Sequence, residues 1–140
     1  MANLYLDIDG VLLATEGPKV VLARHARQFL EFALANFDCF WLTTHCKGDA
    51  RPVLDYLRPF VPADMMPLLE EIKPTTFDVM KTAALEGDFY WIDDSPLQVE
   101  INWLRNRGLF DRWFEIDTRK RPNDLLAGMG RLRAACSYRA

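Results

Sequence analysis

The run Cys39-Phe40-Trp41-Leu42-Thr43 is apolar almost throughout, and it constrains the fold more than any other segment of the chain. A strand with one wet face alternates polar and apolar residues, whereas an unbroken run of strand length is expected where both faces are covered, as in a parallel sheet. Two earlier segments agree. Leu4-Tyr5-Leu6-Asp7-Ile8-Asp9 reads as a strand that starts within three residues of the N-terminus and is stopped by Gly10. Beyond the Gly17-Pro18 break, Leu22, Ala26, Phe29, Leu30, Ala33 and Phe37 share one helical face, with Arg24, Arg27, Gln28 and Glu31 on the other. Strand, helix, strand in this order is a βαβ unit.

The same alternation continues. A short helix is expected around Val53, Leu54 and Leu57, with Pro52 tolerated in its first turn. Asp64 to Leu69 reads as a further strand interrupted by Pro67, and Thr75 with Asp78 as a capping box opening a helix that ends at Gly87. Phe89-Tyr90-Trp91-Ile92 is a clear strand running into Asp93-Asp94. Ser95, Pro96 and Gln98 then have the spacing of an N-cap, a first-turn proline and a third-position glutamine, for a helix that Gly108 ends. Trp113 to Ile116 gives a last strand and Asn123 to Ala135 a closing helix. The pattern predicts a three-layer α/β domain with a mostly parallel sheet, and 140 residues suit one domain over 1–140.

Composition excludes several classes. No stretch approaches the roughly 18 apolar residues of a membrane span, and residues 1–10 carry two carboxylates where a leader would be basic and then apolar, so neither a membrane nor export is expected. Cys39, Cys46 and Cys136 form no Cys-x-x-Cys pair, which argues against a zinc ribbon or a disulfide framework and fits a reducing cytoplasm. Residues 1–100 hold 8 basic and 16 acidic side chains, while 101–140 hold 9 basic and 4 acidic. That acidic excess needs a use.

Ligands of an open parallel sheet sit at the carboxyl ends of its strands. Three strands here end in reactive groups: Asp7 and Asp9, Thr43 and Thr44, and Asp93 and Asp94. Asp7 and Asp9, two apart on a strand, are expected on one face. If the strands are neighbours, four carboxylates converge, and their mutual repulsion is relieved by a hard dication; Mg²⁺ takes oxygen ligands and commonly binds between carboxylates and phosphate.

These residues resemble the haloacid dehalogenase superfamily, a group dominated by Mg²⁺-dependent phosphohydrolases. Asp7-Ile8-Asp9-Gly10-Val11 is similar to its first motif, Phe40-Trp41-Leu42-Thr43 to its second, Lys73 in Ile72-Lys73-Pro74 to its third, and Trp91-Ile92-Asp93-Asp94 to its fourth. The resemblance implies a haloacid dehalogenase-like Rossmannoid fold and hydrolysis of a phosphomonoester through an aspartyl phosphate. Asp7 would be the nucleophile and Asp9 the acid and base. Mg²⁺ would be held by the Asp7 carboxylate, the Asp9 main-chain carbonyl and Asp94, with Asp93 supporting Asp94 or Lys73. Lys73 would offset charge and Thr43 would donate to a phosphoryl oxygen. Thr44 competes with Thr43, and Lys47 or Arg51 with Lys73. The intervals between motifs leave no room for a sizeable cap, so the open site is expected to be closed by a large phosphorylated substrate, a phosphoprotein or a nucleic-acid end among them, or by a second subunit.

Bland readings accompany the rest. His45 and Cys46 read as loop residues, and Arg119-Lys120-Arg121 as a solvated charged face. Response-regulator receivers use similar groups in a different order along the chain. A catalytically weak regulatory module of the same fold is the main rival, because fold does not fix function.

Overall fold

The computed structural model describes residues 1–137. Its elements are β1 (Asn3–Leu6), β2 (Leu13–Glu16), β3 (Lys19–Leu22), α1 (Ala26–Asn36), β4 (Asp38–Trp41), α2 (Arg51–Leu57), α3 (Met66–Glu70), β5 (Phe89–Asp93), α4 (Gln98–Asn106), β6 (Trp113–Glu115) and α5 (Asp124–Ser137). β4, β1, β5 and β6 form, in that order, a four-stranded parallel sheet, and β2 pairs antiparallel with β3. The chain leaves β1 for β4 on one side and later returns to β5 on the other, so strand order reverses at β1. Among the described residues no helix is long and apolar enough to cross a membrane.

The period of two along each strand separates two apolar layers. Leu4, Leu6, Tyr90 and Ile92 belong to the larger one with Phe29, Leu30 and Ala33 of α1 and Leu125, Met129 and Leu132 of α5. Tyr5, Phe89 and Trp91 face the other way, against Leu104 of α4 and against Leu85, which precedes β5. Helices thus lie on both faces, as the uninterrupted run through Trp41 predicts. Each large apolar side chain fully removed from water, such as Phe29, Leu4 or Leu6, contributes about 1.5–3 kcal/mol.

Four local expectations are corrected. Leu22 is not the start of the first helix; it pairs with Leu13 in the β2–β3 hairpin, whose turn uses Gly17 at φ 60°. Asp64 to Leu69 is not a strand but 3-10 and α-helix, because Pro67 falls in the first turn of α3, where its missing N–H has no partner to lose. Thr75 caps no helix. Its hydroxyl donates to the Trp41 carbonyl at 2.5 Å, tying an irregular segment to the edge of β4, and only a 3-10 turn forms at Lys81–Ala84. Finally, α4 starts two residues later than the Ser95 signal suggests: the Ser95 N–H donates to Asp93 Oδ1 (2.9 Å), while the buried Glu100 carboxylate accepts the Leu97 N–H (2.8 Å) and caps the helix.

Candidate functional site

Register brings the first acids together. Leu6 is level with Ile92 of β5 and Trp41 of β4, and the Asp7 N–H donates to the Ile92 carbonyl at 3.0 Å, so Asp7 and Asp93 leave neighbouring strands at the same height. Both follow the phase of Tyr5 and Trp91 and point toward the α4 side of the sheet. Asp94 comes one residue later and packs against Gly10. A Cβ on Gly10 would run into the Asp94 carboxylate, and Gly10 sits at φ +79°. Gly10→Ala is therefore expected to destabilise the protein by more than about 1 kcal/mol and to weaken cation binding, read from the urea midpoint with and without Mg²⁺; an unchanged midpoint would show that the close approach has no consequence.

Carboxylate oxygens of Asp7, Asp93 and Asp94 all lie within 4.8 Å of one another. The three groups are hard oxygen donors with no thiol or imidazole among them, a set that suits a hard dication. Burial, then the Asp93 charge, pushes the Asp7 carboxyl up to about 8 against the pull of Lys81. Burial and then Asp93 and Asp117 also raise Asp94. Such a cluster favours a cation or protons over full ionisation.

The basic residue beside it is Lys81. Its Nζ lies 2.6 Å from Asp93 Oδ2 and 3.5 Å from Asp7 Oδ1, with only 15% of its side chain exposed. Burial disfavours its ammonium, but Asp7 and Asp93 outweigh that and raise its pKa. Its main-chain N–H donates to Glu100 Oε2 at 2.5 Å, which docks the 3-10 turn onto α4. Lys73, the expected residue, is elsewhere. Residue 73 pairs with the edge of β4 through Cys39 and Trp41, and its ammonium lies over the Phe40 ring and 3.8 Å from Asp38, 60% exposed. Lys47 and Arg51 do not contact the cluster either; Arg51 is held by Asp49. The missed signal was a lone lysine in the small and apolar stretch Met80-Lys81-Thr82-Ala83-Ala84-Leu85, a setting that favours burial.

Asp9 does not share a strand face with Asp7. β1 ends at Leu6, and the N–H groups of Val11, Leu12 and Leu13 all donate to the Ile8 carbonyl, so the chain turns before Asp9. Its carboxylate accepts the Tyr56 hydroxyl at 2.5 Å on Oδ1 and faces His45 Nε2 at 3.0 Å on Oδ2. Partial burial would raise its pKa, but the hydrogen bonds from Tyr56 and His45 and the charge of Arg119 bring it below the ordinary carboxylate range. With its side chain so engaged, Asp9 is outside the three-carboxylate cluster and has only its main-chain carbonyl to offer a cation there.

Thr43 follows Leu42, whose N–H donates to the Leu6 carbonyl, so it lies at the same end of the sheet; it is buried, and its hydroxyl accepts the His45 N–H at 3.4 Å. Cys46 is buried with its thiol on the Asp49 and Thr75 carbonyls, a structural position. Of the basic run, Arg121 pairs with Glu115 and Asp124, and Lys120 with Asp117. Arg119 instead acts on Asp9 and Asp94; it follows Thr118, which is fastened to the Asp9 turn by its N–H on Gly10 O (2.8 Å) and its hydroxyl on Val11 O (3.0 Å).

Comparison of the chain with protein-family models, curated proteins and solved structures gave no match.

Proposed function

We propose that the protein is a Mg²⁺-dependent phosphohydrolase of the haloacid dehalogenase type that cleaves a phosphomonoester through an aspartyl phosphate on Asp7. One observation carries this reading: three carboxylates and one ammonium, drawn from three separated segments, meet at the carboxyl end of β1, where strand order reverses. The order of the motifs along the sequence supports it, with Lys81 in the role expected of Lys73.

Asp7 and Asp94 would hold Mg²⁺, together with the Asp9 carbonyl. Bound there, the ion would neutralise charge on the phosphoryl oxygens and on the acids themselves. The other steps belong to the chain. An Asp7 oxygen attacks phosphorus in line, the bond from phosphorus to the leaving oxygen breaks, and Asp9 supplies that oxygen with a proton. Water then attacks the acyl phosphate, giving its proton to Asp9 and freeing Asp7. Lys81 favours the ionised form of Asp7 against its burial and offsets charge on the phosphoryl group, and Thr43 donates a hydrogen bond to one of its oxygens. Asp93 positions Lys81 through the 2.6 Å contact.

Release of inorganic phosphate from p-nitrophenyl phosphate tests the reading. Turnover should require Mg²⁺, vanish in EDTA and return when Mg²⁺ is added back. No release from this ester, phosphoserine, sugar phosphates or a 3′-phosphorylated oligonucleotide would favour the regulatory module.

A further inference from the structure

Asp9 is the member of the site whose surroundings the motif pattern does not explain. His45, in the loop after β4, and Tyr56, on α2, stack face to face with ring centroids 4.0 Å apart and planes 18° from parallel. Each aims a polar atom at a different oxygen of the same carboxylate, Tyr56 O–H at Oδ1 and His45 Nε2 at Oδ2. An ionised carboxylate only accepts, so the Tyr56 hydroxyl and the His45 Nε2–H both donate. The stack stops either ring from turning alone. Phe60 edges against Tyr56 with centroids 6.3 Å apart and backs it.

From this geometry we infer that His45 and Tyr56 are positioning residues for Asp9, fixing the orientation of its carboxylate for the step in which it accepts the proton of the attacking water. The inference rests on the phosphohydrolase reading and divides its two steps. Asp9 must be protonated to assist the leaving oxygen and deprotonated to accept from water. With a leaving group that needs no proton only the second role remains, so loss of the orientation that the pair gives the carboxylate is read in breakdown of the aspartyl phosphate. In that step water oxygen bonds to phosphorus, the bond from phosphorus to the Asp7 oxygen breaks, and the proton of water passes to Asp9.

The test uses 2,4-dinitrophenyl phosphate, whose leaving group needs no proton. Tyr56→Phe keeps the ring and removes the donor; His45→Ala removes the other donor; His45→Gln restores an N–H. In the first two variants kcat is expected to fall about 10-fold or more with KM falling in proportion, so that kcat/KM holds. Rapid mixing should show a burst approaching one dinitrophenolate per protein, and His45→Gln should recover part of the loss. A merely structural pair would lower kcat/KM and give no burst, and that result, or unchanged kinetics, overturns the assignment while leaving the phosphohydrolase reading intact. A wild-type protein without Mg²⁺-dependent turnover overturns both.

Discussion

Asp7→Asn is expected to lower Mg²⁺-dependent turnover by about 10⁴-fold or more and, in EDTA at pH 8, to make the protein more stable than the wild type. The first effect follows from chemistry. Asparagine has the shape of aspartate, but its amide oxygen is a poor nucleophile and cannot form a hydrolysable acyl phosphate. The second follows from linkage. The Asp7 carboxyl titrates near 4 in an unfolded chain and is raised to about 8 in the folded one by burial and then by Asp93. Its contribution to stability is therefore complete below about pH 4 and is lost as pH rises toward 8, because folding then demands either a proton or a buried charge. Asparagine carries no such demand, and Lys81 keeps Asp93 as a partner when Asp7 is neutral. Urea midpoints in EDTA should thus separate the two proteins at pH 8 and bring them together toward pH 4. Groups that titrate in the opposite sense, Asp9 among them, are common to both and drop out of the comparison. Saturating Mg²⁺ at pH 8 should reverse the order, since only the wild type has the full set of carboxylates to bind it. A midpoint difference independent of pH would sink the account of Asp7 as a buried, proton-seeking acid, and full turnover in the variant would sink the nucleophile.

The parts of the site readable from sequence are those that ride on buried strands. β1, β4 and β5 announce themselves because strands covered on both faces must be apolar throughout, and an acid that closes such a run has to emerge at the sheet's carboxyl end. Asp7, Asp93 and Asp94 follow from that alone. What escaped depends on short-range chemistry that linear spacing does not encode. The β2–β3 hairpin has four residues per strand, and Leu22 happens to fall in helical phase with Ala26 and Phe29. Thr75 carries an N-cap signal, but the Trp41 carbonyl at the open edge of β4 takes its hydroxyl first. That substitution removes the expected helix, leaves the chain irregular up to residue 80, and turns Lys81 inward. Asp9 was misjudged for a related reason: a strand read to residue 9 puts it beside Asp7, whereas the turn stacked on the Ile8 carbonyl swings it toward His45 and Tyr56. Those two residues are eleven apart on a loop and a helix, and no periodicity joins them.

The two lysines provide the sharpest separation between the reading from sequence and the folded chain. Lys81→Met should cost roughly 3–5 kcal/mol at pH 8 and lower turnover by about 10²- to 10³-fold, because it removes the ammonium wedged between Asp7 and Asp93 and leaves charge buried without a counter-charge. Methionine fills much of the volume of the lysine stem, so the loss reports charge more than packing. The stability deficit should shrink as pH falls below about 8, where Asp7 takes up a proton and no longer needs the ammonium. Mg²⁺ should recover part of the stability, since it supplies positive charge to the same oxygens, yet less of the turnover, since Lys81 also faces the phosphoryl group in the proposed reaction. Lys73→Met should stay within about 0.5 kcal/mol and keep its turnover, because an exposed ammonium 3.8 Å from Asp38 gains little from that contact in water. Denaturation and phosphate release measured on both variants decide between them: a larger loss from Lys73 than from Lys81 would mean that the segment between residues 73 and 88 reaches the site by a different path from the one its hydrogen bonds to Trp41 and Glu100 define.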